Sequence, residues 1–281
     1  MQHADGVWQG VLRLLSADAR SYRVNGGESP VSIQTDEECR WPDLPERYSI
    51  ALRDAVGFIL DRFDVVGIVA SGTVLRGEPD PTSDLDIYVV NRESFRQRVQ
   101  RFSRGVPTEI FVNPVSAIRG YFRKEYEDSR PITAHMLATG FVILSRSRIV
   151  DELRAEAEQW LAKPCNPPHW QLVMERYFAA TQYEDALDIA EKNPPTALLI
   201  LNQAVTSMIN YWYRSNGYFI PRSKELLSRL ACLNESLGRD AQRFFVAPPE
   251  DRWRLAKSIA DQTVGVHGFF EWESGRQPMP G

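Results

Sequence analysis

Two aspartates two positions apart, Asp84 and Asp86, stand in a segment that reads Asp-Leu-Asp-Ile-Tyr-Val-Val. Its alternation predicts a strand over residues 84–90, and alternate residues of a strand point to one side. The two carboxylates then share one face, about 6–7 Å apart, while Leu85, Ile87 and Val89 turn to a core on the other. Aspartate is depleted in strands, and two like charges side by side repel. Such a pair calls for a cation. A hard divalent ion answers it, and Mg²⁺ fits because it takes one or two carboxylates and completes its shell with waters and phosphates. A third acid, Glu109, lies in the next strand-like stretch, 108–112, flanked by apolar Ile110 and Val112. On a neighbouring strand it would share the face of the aspartates. Three acids around one point suit a two-metal clamp on the attacking and leaving oxygens of a phosphoryl or nucleotidyl transfer.

Upstream, the β-branched run 65–70 ends in Ser71-Gly72-Thr73. A glycine there lets backbone approach a ligand closely, and free N–H groups with two hydroxyls can bind phosphate. The triplet alone reads as an ordinary turn; its spacing adds information. Ten residues, Val74 to Ser83, separate Gly72-Thr73 from Asp84-Leu85-Asp86. Strand, Gly-Thr, ten-residue connection, Asp-x-Asp strand and a later acid together resemble the nucleotidyltransferase superfamily with the polymerase-β-like fold. Its signature is Gly-Ser, a spacer and Asp-x-Asp. The pattern is most similar to small bacterial members such as the kanamycin, streptomycin and lincosamide nucleotidyltransferases. Thr73 stands where serine is usual and keeps the hydroxyl.

The resemblance covers about residues 65–113 and implies a set of roles. Asp84 and Asp86 would hold Mg²⁺, two ions in all, on a triphosphate, with Glu109 as ligand, base or both. Ser71, Gly72, Thr73 and Ser83 would bind the nucleotide. An acceptor hydroxyl would attack the α-phosphate of ATP or another NTP, and pyrophosphate would leave. The acceptor implied is a small molecule, an antibiotic or similar polyhydroxylated compound. Two other readings share the motif: a protein AMP-transferase of the antitoxin type, and a non-catalytic nucleotide sensor.

The elements that must position these residues follow from periodicity. A helix is expected over 44–63, strands over 65–70, 84–90 and 108–112, and a helix over 93–102 carrying Arg96, Arg98 and Arg101. Helical stretches over 115–126 and 131–139 precede a short strand at 141–144. After about residue 148 strand signals vanish, and helices are expected over 149–161, 170–191, 195–215, 223–236 and from 251 towards 265. The fold class expected is α+β, an N-terminal mixed-sheet nucleotidyltransferase domain followed by an all-helical bundle domain. Its divisions are an extension at 1–43, a nucleotidyltransferase domain at 44–147 and a helical domain at 148–281. Within the extension, residues 7–15 have helical spacing, and the last residues, from Gly275, read as a loose tail.

In the helical half, Pro221-Arg222-Ser223-Lys224 opens a helix with two cations, and Lys224 is the expected phosphate contact from this half. Tyr211, Trp212, Tyr213, Tyr218 and Phe219 read as core packing, with stacking on a flat ligand as the lesser alternative. Glu184, Asp185 and Asp188 form an acidic helical face that would suit a cationic acceptor.

Composition frames the partners. The chain has 281 residues and a formal net charge of −4, which argues against a sequence-independent nucleic-acid coat. Its apolar runs are too short for a membrane span, and no basic-then-apolar leader opens the sequence. Three scattered cysteines show neither a metal pattern nor a disulfide framework. A cytoplasmic protein acting on an NTP and a small acceptor is expected, with no nucleic acid and no membrane, and with a homodimer left open.

Overall fold

A computed structural model of the protein describes residues 38–77 and 79–273. The helix expected at 7–15 and the tail from Gly275 lie outside the described residues. The described residues form one compact unit.

Helix α1, Glu46–Arg62, places Ala51, Leu52, Ala55, Val56 and Ile59 on one buried face. Glu46 sits in its first turn and Arg62 in its last, each favourable to the helix dipole. Strands β1 (Val65–Ser71), β2 (Leu85–Asn91), β3 (Gln97–Ser103), β4 (Val106–Pro114) and β5 (Phe141–Ser145) form one sheet in the order β3-β4-β2-β1-β5. β2 and β4 run parallel, and every other neighbouring pair is antiparallel. The sheet is therefore mixed, as expected.

Each face of the sheet has its own core. Leu85, Ile87 and Val89 of β2 and Ile110 and Val112 of β4 pack with α1. On the other face Val66, Val69, Tyr88 and Val90 pack against helices α2 (Val115–Glu127), α3 (Ile132–Thr139) and α4 (Ile149–Ala162). α4 contributes Val150, Leu153 and Ala157 to that core. By packing, then, the helix that follows residue 148 sits with the sheet, and the core changes only beyond Ala162.

The rest of the chain is helical: α5 (His169–Asp188), α6 (Pro194–Ser215), α7 (Leu226–Leu233), α8 (Glu235–Val246) and α9 (Pro249–Gln262). α6 is the centre of this bundle, burying Leu201, Val205, Met208, Ile209 and Trp212. Together with the mixed sheet this makes the protein α+β, with a helical second half. Among the described residues no helix is long and apolar enough to cross a membrane.

Two expectations of element type or extent are corrected. Residues 97–103 form strand β3, not part of a helix over 93–102. The period is two: Val99 packs towards the α1 core, while Arg98 and Gln100 are exposed on the other side. A two-residue turn holds β3 against β4, with Arg104 at φ 47° and Gly105 at φ 80°. Positive φ at both positions matches the right-handed twist of a hairpin. Likewise the single helix expected over 223–236 is a short 3-10 turn, Ser223–Glu225, followed by α7, and a separate helix α8 extends to Val246. Asn234 divides α7 from α8, since its side chain accepts a hydrogen bond from the Leu237 N–H at 3.1 Å and so caps α8.

Candidate active site

Strand register brings the acids together. Ser71 pairs with Asp86 across β1 and β2, Asp86 pairs with Glu109 across β2 and β4, and Glu109 pairs with Gln100 across β4 and β3. Cross-strand partners share a face, so these four side chains form one row across the sheet. Asp84 lies just before β2, half-buried, as is Asp86.

The turn after β1 is fitted to this row. Gly72 has φ 93°, and a Cβ there would stand 2.7 Å from Oδ2 of Asp86. Only glycine meets both the left-handed backbone and the close approach. Ser71 is buried at the end of β1, and Thr73 leads into a 3-10 turn, Val74–Arg76. Ser83 is engaged by the connecting loop: its hydroxyl accepts from the Asp80 N–H at 2.9 Å, and its own N–H donates to the Asp80 carbonyl at 3.1 Å. Tyr48 of α1 donates to the same carbonyl at 3.1 Å. Ser83 therefore braces the loop that delivers Asp84.

The electrostatics separate the three acids. Burial pushes the Asp86 carboxyl up to about 6, and the charges of Asp84 and Glu109 push it the same way; Arg222 and Arg98 oppose them. Asp86 is thus a carboxylate short of positive charge. Glu109 is not: Arg98 Nη2 lies 2.6 Å from its Oε2, and Gln100 donates to its other oxygen. Among the described residues, no group of three or more His, Cys, Asp or Glu side chains is arranged to hold a metal ion. Asp84 and Asp86 could hold Mg²⁺, which ordinarily takes one or two carboxylates. Glu109 is held by its arginine and glutamine.

Cations from the helical half reach this face. Beyond α6 the Ile220 N–H donates to the Ser129 carbonyl at 2.9 Å, and Arg214 donates to the Asp128 carbonyl at 2.9 Å while pairing with Glu175 at 2.7 Å. These bonds bring residues 221–225 alongside the sheet. Arg222 is close enough to favour the charged form of Asp86, and it pairs with Glu225. Lys224 acts on Asp80 instead, whose carboxyl is held low chiefly by hydrogen bonds from Thr82. His135 of α3 joins the group: burial pushes its pKa down, and the charges of Arg76 and Arg222 add to that. Nothing in the sequence spacing ties His135, Arg76 and Arg222 together; the 220–225 connection does so. Of the aromatic cluster, Trp212 and Tyr213 are buried in the helical core and Tyr218 stacks on Trp212 at 5.8 Å. Phe219 meets Tyr126 of α2 edge-on at 5.9 Å.

A cleft of about 450 Å³ opens on the same face of the sheet. Tyr88, Phe111 and Asn113 form its floor, with Arg96 and Arg98 on one side and Tyr121, Glu125 and Thr133 on the other. Tyr88 and Phe111 lie two residues along their strands from Asp86 and Glu109, on the same face, and their rings stack at 6.1 Å.

No protein-family model matches the chain, and no curated protein does. Among solved structures it is similar to a nucleotidyltransferase-like protein from Exiguobacterium sibiricum 255-15, at 11% identity and a TM-score of 0.47, over 76% of this chain and 73% of that one.

Proposed function

We propose that the protein is a nucleotidyltransferase that moves an NMP, AMP in the first instance, from an NTP to a hydroxyl of a small acceptor. The observation that carries this reading is the row Ser71–Asp86–Glu109 with Gly72 pressed against the Asp86 carboxylate. It joins a backbone turn able to cradle phosphate to a carboxylate, Asp86, that is short of positive charge. Asp84 and Asp86 would hold Mg²⁺, which when bound supplies neutralising charge to the triphosphate. The Ser71–Thr73 turn grips the outer phosphates through its N–H groups and hydroxyls, and Arg222 adds a cation from the helical half. Glu109 lies beyond the aspartates, away from that turn, and takes the proton from the acceptor hydroxyl. A bond forms between the acceptor oxygen and the α-phosphorus; the bond from that phosphorus to the β-phosphate oxygen breaks, and pyrophosphate leaves with the electron pair. Positioning and charge stabilisation supply most of the rate in such transfers.

One observation favours a second reading. Glu109 is already satisfied by Arg98 and Gln100, which suits a nucleotide-binding module without turnover. Calorimetry with ATP and Mg²⁺ tests the first part of both readings: binding that needs Mg²⁺ and is lost in Asp84→Asn/Asp86→Asn is expected, and Mg²⁺-independent binding unaffected by that pair would sink the site. Release of pyrophosphate in the presence of acceptor then separates the two, since the module produces none.

A further inference from the structure

The cleft beside the acids has a chemistry of its own. Its position relative to the phosphate turn comes first. The sheet order puts the turn on the β1 side of Asp86, and Glu109, with β3 beyond it, on the opposite side. In an in-line transfer the leaving and attacking oxygens lie on opposite sides of the phosphorus. With pyrophosphate at the turn, the attacking group enters from the β4–β3 side, where the cleft lies. Its volume of about 450 Å³ is in the range of small-molecule pockets.

Three charged side chains line it, and two are already occupied. Arg98 is paired with Glu109. Glu125 accepts from the Thr133 N–H at 2.6 Å and from its hydroxyl at 2.7 Å, and so serves as the cap at the start of α3. Arg96 is different: among the described residues it pairs with no carboxylate, donating at 2.7 Å to the Tyr121 hydroxyl and standing over that ring at 5.7 Å. Phe111 and Tyr121 add aromatic surface beside this cation. The acids that would suit a polycationic acceptor, Glu184, Asp185 and Asp188, lie on α5 and do not line the cleft.

We propose that this cleft is the acceptor pocket and that it takes a small hydroxyl-bearing molecule that also carries an anionic group, a carboxylate or a phosphate, held by Arg96. The proposal rests on the nucleotidyl-transfer reading and names its substrate class. The anion pairs with the guanidinium, the body of the molecule lies against Phe111 and Tyr121, and the hydroxyl end lies towards Glu109, two residues before Phe111 on the same face of β4. Arg96 is then a specificity residue, since it touches the far end of the acceptor and not the reacting atoms. An aminoglycoside, one kind of antibiotic acceptor, would bring its positive charges against Arg96 and Arg98.

Ligand-observed NMR on the full chain tests this with four probes: 4-hydroxyphenylacetate for the carboxylate class, ribose 5-phosphate for the phosphate class, N-acetylglucosamine as a neutral sugar and kanamycin as a polycation. At least one anionic probe is expected to bind, with Arg96→Gln weakening it roughly tenfold or more and Arg96→Lys restoring much of it; which anionic probe binds decides between carboxylate and phosphate. Stronger binding of kanamycin or the neutral sugar overturns the proposal, as do absence of binding by both anions and equal binding to Arg96→Gln. Calorimetry with ATP and Mg²⁺ on the same two proteins keeps the failures apart. Arg96→Gln is expected to bind ATP as the parent does; loss of ATP binding in that variant would make the cleft a nucleotide pocket and overturn the proposal. A parent chain that binds an anionic probe through Arg96 but no nucleotide would instead remove the transferase reading and leave an anion site.

Discussion

The two faces of strand β2 are built from the same seven residues to opposite ends. Leu85, Ile87 and Val89 are fully buried against α1. Asp86, between them in sequence, faces the other way, where burial and two neighbouring acids leave its charge undersatisfied. The α1 face holds the strand in place; the other face is also anchored, through Tyr88 and Val90, and carries at Asp86 a local cost that a cation would offset. Strained or electrostatically unfavourable groups persist where the surrounding structure over-determines them, and here the α1 face does that. Around Asp86, then, site and α1 core are separated by parity, while Tyr88 and Val90 further along the site face belong to the second core.

That separation predicts substitutions of opposite sign at adjacent positions. Ile87→Ala empties space in the fully buried α1 core and is expected to cost about 2–5 kcal/mol in urea unfolding. Asp86→Asn is expected to stabilise the metal-free protein by about 1–3 kcal/mol at pH 7.5. Because the folded carboxyl titrates near 6 and not near 3.8, its destabilising effect is full above the folded value and absent below the unfolded one. The gain from Asp86→Asn should therefore shrink as pH falls through 6 and vanish near pH 4. Unfolding curves in EDTA at pH 7.5 and pH 4 check both points, and an Asp86→Asn protein less stable than its parent at pH 7.5 would break the comparison.

The same parity explains what the sequence made legible. The strand at 84–90, the acid at 109 and the Gly-Thr turn were readable because side-chain direction in a strand is local, and two residues of spacing decide which face a group takes. By sequence alone the 97–103 segment reads as helix because its arginines suit a solvated helical face, while the deciding feature is the Arg104–Gly105 turn that pairs it with β4. The consequence was functional. As a strand, that segment puts Arg98 and Gln100 on Glu109 and Arg96 beside the cleft. Contacts between halves were still less legible. Arg222 meets the acids only because Ile220 bonds to Ser129 and Arg214 to Asp128, and no local pattern encodes such long-range pairs.

Gly72 is the point where turn and acid meet, and substitution there probes the site face with less cost to the core. Gly72→Ala adds a methyl group 2.7 Å from the Asp86 carboxylate at a backbone φ of 93°. It is expected to cost about 1–2 kcal/mol, and to reduce Mg²⁺-dependent ATP binding far more than that loss of stability explains. Binding measured well below the melting temperature separates the two effects. An alanine variant that binds ATP like the parent would mean that the turn does not approach the phosphates.

The smallest expected effect separates the two cations of the 221–225 segment. The sequence points to Lys224 as the phosphate contact from this half; in the structure Arg222 acts on Asp86, and Lys224 acts on Asp80 at the surface. Arg222→Ala should weaken binding of ATP with Mg²⁺ by roughly three- to tenfold, and Lys224→Ala by less than about threefold, since exposed charges contribute little in water and salt. Arg222 is partly neutralised by Glu225. Removing that competitor should act in reverse: Glu225→Gln frees the guanidinium and tightens nucleotide binding, most clearly at low ionic strength. If Glu225→Gln instead weakens binding, the pair acts as a unit that positions Arg222, and the helical half contributes geometry to the acid face more than it contributes charge.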